Sequence, residues 1–106
     1  MTADTPQEHA HAAAEIAVEP LGDERVRDDL IVRAIDALNG PDVEVYPGLM
    51  STTVTGELDA ILHAVQRAHT TARRGAARVI TTVRLESRDG GIDLAERARD
   101  IERPGG

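Results

Sequence analysis

The residues best suited to chemistry lie in one short stretch, Leu49-Met50-Ser51-Thr52-Thr53-Val54-Thr55-Gly56, with Tyr46 just upstream across Pro47-Gly48. Ser51, Thr52, Thr53 and Thr55 carry hydroxyls that both donate and accept. The Met50 thioether is polarisable, and a phenol joins an apolar ring to a polar tip. This set suits recognition of a small, flat, nitrogen-rich molecule, with Tyr46 and Met50 holding a ring between them while Ser51 and Thr52 bond its polar edge. Threonine is also favoured in strands for its shape alone. An ordinary hairpin strand therefore accounts for the same letters, and at this point both readings stand.

No catalytic set accompanies the stretch. Ser51 and Ser87 are the only serines, and neither occupies a Gly-x-Ser-x-Gly turn. His9 and His11 flank Ala10 with no third ligand beside them, a spacing that holds a metal only weakly. His63 and His69 are six residues apart, which on a helix sets them on different faces and rules out a two-ligand clamp. His69 follows Val65 by four and falls beside the apolar stripe, where it either bonds to backbone at the margin of the core or lines a ligand site. Neither an enzyme nor a metal site is expected.

Composition removes further classes. The 106-residue chain has no Cys and no Lys, which excludes thiolate chemistry, Cys-based metal sites, disulfides, Schiff bases and a P-loop lysine. Its twelve Arg face nineteen acids for a net charge of −7, the wrong sign for a sequence-independent binder of nucleic acid or of an anionic membrane. No apolar run approaches the roughly 18 residues of a membrane span, and the leading residues lack the apolar core of a signal peptide, so a cytoplasmic protein is expected. Residues 1–48 hold eleven acids and three Arg, whereas the remainder hold eight acids and nine Arg. Copies of the chain thus present unlike surfaces to one another.

These residues need elements to position them. Residues 1–11 are polar and aperiodic and read as a disordered arm, ahead of one domain over residues 12–103. From Ala14, Ile16 and Val18 alternate with Glu15, Ala17 and Glu19, which predicts a strand that Pro20 and Gly22 stop. Asp23 caps a helix in which Val26, Leu30, Ile31, Ala34, Ile35 and Leu38 recur, and Asn39, Gly40 and Pro41 end it. Val43 to Tyr46 and Met50 to Thr55 form a hairpin turned at Pro47 to Leu49. A second helix follows Gly56, with an expected core face of Leu58, Ile61, Leu62, Val65, Ala68 and Ala72 and a stop at Gly75. Arg78 to Glu86 alternate as a fourth strand, Val79, Thr81, Val83 and Leu85 on one side and Ile80, Thr82, Arg84 and Glu86 on the other. Asp89, Gly90 and Gly91 are expected to turn the chain into a short last helix bearing Leu94, Ala98 and Ile101.

The order strand, helix, strand, strand, helix, strand is the split βαβ arrangement of an α+β, ferredoxin-like sandwich, with two helices on one face of a four-stranded antiparallel sheet. Its other face displays Glu15, Ala17, Glu44, Tyr46, Ser51, Thr53, Thr55, Thr82, Arg84 and Glu86. Polar, lightly charged and rich in hydroxyls, that face meets either water or another subunit.

The stretch Tyr46 to Asp59, then His69, then Gly75-Ala76-Ala77-Arg78-Val79-Ile80-Thr81-Thr82 and on to Arg88, together with Ala14 to Gly22, resembles the small stand-alone thiamine-binding, YkoF-like proteins over residues 13–102. The most specific part is the Gly-x-x-Arg-Val-x-Thr-Thr run of Gly75 to Thr82. The family commonly reads Met-Gly-Thr where this chain has Met50-Ser51-Thr52, and often an acid at Thr55. The resemblance implies a ferredoxin-like fold assembled into a homodimer or homotetramer. It implies binding of thiamine or its hydroxymethylpyrimidine moiety, without catalysis or any required cofactor, in thiamine salvage or transport. By the same resemblance Ser51, Thr52 and Thr82 would serve the pyrimidine edge and Met50 and Tyr46 its faces. A carboxylate such as Glu15, Glu44 or Glu86 would answer the thiazolium cation, provided that Arg84 is paired with Glu15 or Glu86. The alternative is a structural or regulatory self-assembling domain with no metabolite ligand.

Overall fold

A computed structural model describes residues 9–93, with side chains from His11 onward. Its elements run β1 (His9–Leu21), α1 (Glu24–Ala37), β2 (Val43–Pro47), β3 (Thr52–Gly56), α2 (Leu58–Gly75) and β4 (Arg78–Asp93). The strands form one antiparallel sheet in the order β2-β3-β1-β4. Both helices pack on the same face, which is the βαββαβ ferredoxin-like arrangement.

The core is built from small side chains because the sequence offers no Phe or Trp. Ala12, Ala14 and Ile16 of β1 and Val54 of β3 meet Ala34 and Leu38 of the α1 region and Ile61, Ala64, Ala68 and Ala72 of α2. Alanines at these contacts let α2 lie close to the sheet. The expected core face of α2 is thereby corrected. Leu58 and Leu62 are 41% and 46% exposed, while Ala64 is fully buried, so the helix turns its small residues inward and carries its leucines on a flank. Space above an alanine-rich strand is too shallow for a row of leucines.

Local signals explain the element ends. The Asp23 carboxylate accepts from the Arg25 amide at 3.0 Å and caps α1. At the other end of α1 the Arg67 guanidinium donates to the carbonyls of Ala37, Leu38 and Asn39 at 3.0, 3.1 and 3.3 Å. These are acceptors that a helix end leaves without partners. Gly56 joins β3 to α2 at φ +150°, and a Cβ there would stand 2.6 Å from the Asp42 carbonyl, so only glycine fits this junction.

Two sheet boundaries differ from expectation. β1 begins at His9 rather than Ala14, so His9 and Ala10 of the expected arm pair with the sheet. β4 runs through Asp89, Gly90 and Gly91 to Asp93 instead of turning there. Ala12 pairs with Ser87 but Ala10 with Ile92, so β4 accommodates extra residues as a bulge. Gly90 and Gly91, at φ +80° and +89°, supply the left-handed backbone that it needs. A Gly-Gly pair signals either a turn or a bulge, and the pairing with β1 decides for the bulge. The expected last helix, with Leu94, Ala98 and Ile101, lies outside the described residues.

Candidate functional site

Strand alternation divides the chemistry-bearing residues between two concavities. Val43 and Val45 of β2 pack toward the core, so Glu44 and Tyr46 face the other way. Thr52 and Val54 of β3 are buried on the helix side.

The first concavity is a groove of about 400 Å³ between β1, α1 and the loop joining β2 to β3. Val18, Ile31, Ile35 and Leu38 give it apolar walls, and Met50, Ser51 and Thr52 enter from the loop and the start of β3. Thr52 is 2% exposed, and no partner for its hydroxyl is found among the described residues. Leaving such a group unsatisfied is costly, so a polar atom in the groove would be complementary to it. Leu49 and Met50 project into solvent at the rim. Glu19 and Arg27 also border the groove, although strand alternation turns the Glu19 side chain, opposite Ile80, toward the open sheet face. Sequence reasoning missed these two as site residues, although Arg27, Ile31 and Ile35 at four-residue spacing already marked one helix flank.

The second concavity, about 270 Å³, lies on the open sheet face over Ala13, Glu15, Thr53, Arg84 and Glu86. The small Ala13 makes the hollow. Arg84 lies 3.9 Å from Glu15, the pairing that keeps a guanidinium compatible with a cationic ligand. Beside it Tyr46, opposite Thr53 in register, donates its phenol to Glu44 at 2.7 Å. That bond is the chief reason its pKa is raised, with partial burial and the Glu44 charge adding to it and a bond to Thr55 opposing.

Of the residues singled out from sequence, Met50, Ser51 and Thr52 come together in the groove, whereas Glu86 lines the open-face hollow. Thr82 shares that open face, opposite Ala17. Tyr46 lines neither concavity and does not close a sandwich with Met50: it faces the open side of the sheet opposite Thr53, whereas Met50 lies in the loop between β2 and β3. His69 takes neither of its expected parts. Its Nδ1 lies 2.7 Å from Thr81 Oγ1 and joins α2 to β4. His11 Nε2 lies 3.1 Å from Glu57 at the head of α2. Among the described residues no group of three metal-ligating side chains forms, and no helix is long and apolar enough to cross a membrane.

Residues 14–102 match the sequence pattern of the family described as "Thiamine-binding protein". The chain is 30% identical over 84 residues to the UPF0045 protein MJ1052 of Methanocaldococcus jannaschii, covering 79% of this chain and 84% of the relative. The crystal structure of MJ1052 superposes with a TM-score of 0.74 over 85% of this chain and 93% of that one, at 28% identity. A Thermotoga maritima structure described as a candidate thiamine biosynthesis/salvage protein gives a TM-score of 0.75 at 23% identity, covering 86% and 98% of the two chains. A Bacillus cereus domain of unknown function DUF77 gives 0.77 at 24% identity, covering 94% and 97%.

Proposed function

The chain belongs to the thiamine-binding protein family, and from that premise we propose that it is a non-catalytic, cytoplasmic, oligomeric binder of thiamine or its hydroxymethylpyrimidine moiety, acting in thiamine salvage or transport. The observation that carries the site is the buried Thr52 hydroxyl, with no partner among the described residues, on the wall of a largely apolar groove. An aminopyrimidine has the complementary form, apolar on its faces and lined with donors and acceptors along one edge. In this reading Val18, Ile31 and Met50 contact the ring, and Ser51 and Thr52 bond its edge. Tyr46, Thr82 and Glu86 belong to the open sheet face and do not touch this ring.

Titration calorimetry with thiamine tests the proposal. Saturable heat is expected from the wild type, and Thr52→Val, which keeps the shape and removes the hydroxyl, should weaken binding by roughly 1 to 2 kcal/mol. Thiamine should be recovered unchanged after incubation. No heat at millimolar thiamine would favour the self-assembling domain without a metabolite. Binding unaffected by Thr52→Val would move the ligand to the open face.

A further inference from the structure

Among the described residues, two ionisable side chains border the groove between β1, α1 and the loop joining β2 to β3, namely Glu19 and Arg27. Strand alternation takes the Glu19 carboxylate to the other face of the sheet. Arg27 differs. It is the fourth residue of α1, one turn ahead of Ile31 and two ahead of Ile35, and all three line the groove. The charge left to the groove is therefore positive.

The other two arginines of α1 are committed. Arg25 donates to both carboxylate oxygens of Asp23, at 3.1 and 3.0 Å, and Arg33 lies 3.0 Å from Asp29. Arg27 makes no hydrogen bond or ion pair among the described residues. Asp23, one turn ahead of it, is already held by Arg25 and does not neutralise it. Its place in the first turn adds the positive end of the helix dipole to its own charge. The thiazolium ring of thiamine is a permanent cation, and this groove offers it a guanidinium and no carboxylate. A phosphate monoester has the opposite sign, and its oxygens match the guanidinium fork, which donates two parallel bonds. Thr52, 2% exposed, marks the buried end of the groove, whereas Arg27 is exposed, where a tail leaving the ring meets solvent.

We propose that the groove recognises a phosphorylated ligand, an aminopyrimidine whose tail carries a phosphate monoester, and that Arg27 is the residue that selects it. The inference rests on the reading that sets the pyrimidine edge against Thr52, and it specifies which species of that class the chain holds. Hydroxymethylpyrimidine phosphate and thiamine monophosphate both carry this chemistry. The first suits the groove better, because the second brings the thiazolium cation along with its phosphate.

Titration calorimetry with four compounds tests this: hydroxymethylpyrimidine, thiamine and the monophosphate of each. In both pairs the phosphorylated member should bind about tenfold or more tightly, the contribution of one charge-assisted contact. Hydroxymethylpyrimidine phosphate should bind tightest of the four, and added salt should narrow the gap within each pair. Arg27→Gln keeps the helix propensity and removes the charge, and should bring the members of each pair close to equal affinity. Arg33→Gln removes the same charge from the Asp29 pair on the same helix and should leave the gap in place. Both arginines are exposed, so circular dichroism should show both variants folded. Equal affinities within both pairs for the wild type would overturn the inference while leaving the proposed function supported by the heat itself. A gap that survives Arg27→Gln, or that Arg33→Gln closes as well, would overturn the role of Arg27. No heat from any of the four compounds would overturn the proposed function and this inference together.

Discussion

Tyr46 is the only aromatic residue, which makes its phenol an unusually clean probe of the open sheet face. The Glu44 carboxylate accepts its proton at 2.7 Å, favouring the neutral phenol and raising its pKa above the ordinary value near 10. A group that holds its proton more tightly when folded adds stability below the unfolded pKa and loses it as pH climbs through the folded pKa. The contribution is therefore intact at neutral pH and fades above pH of about 10. Titration of phenolate absorbance should give a midpoint above the ordinary value, and Glu44→Gln should lower it. A normal midpoint indifferent to Glu44→Gln would break the assignment. At this scale the sequence was half legible. Met50, Ser51 and Thr52 are contiguous and stay together in the groove, since neighbours along a loop cannot separate. Tyr46 was grouped with them across a turn, where strand parity, invisible without the register, sends it to the opposite face.

The elements were more legible than the faces they bury. Periodicity and caps locate both helices, the hairpin and the fourth strand, because Asp23, the Gly40-Pro41 pair, Gly56 and Gly75 each act locally on the backbone. Which stripe of α2 meets the sheet depends on a partner distant in sequence. The alanines at positions 12 and 14 of β1 admit Ala64, Ala68 and Ala72 and exclude Leu58 and Leu62. The Gly90-Gly91 bulge is ambiguous for the same reason, since its meaning depends on the register with β1. Neighbouring residues on α2 provide the test. Ile61 is fully buried and Leu62 is not, so Ile61→Ala should cost about 2 to 5 kcal/mol in denaturant unfolding. Leu62→Ala should cost less by at least about 1 kcal/mol, as half its surface is already in water. Equal losses would mean that α2 is rotated from its described position.

At the scale of the molecule, the groove and the open-face hollow share no lining residue. A substitution in either should then leave ligand binding at the other intact. A ligand that binds only the folded chain adds about 2.7 kcal/mol at one hundred times its dissociation constant. A subunit contact instead makes the melting temperature climb with protein concentration. In scanning calorimetry the wild type should respond to both thiamine and protein concentration. Thr52→Val should lose most of the thiamine response, and Arg84→Glu should keep it. If Arg84→Glu instead abolished the thiamine response, the groove would not be the site. The ligand would then belong in the open-face hollow that Arg84 and Glu86 line, with Glu15 beside it as the carboxylate nearest the cation.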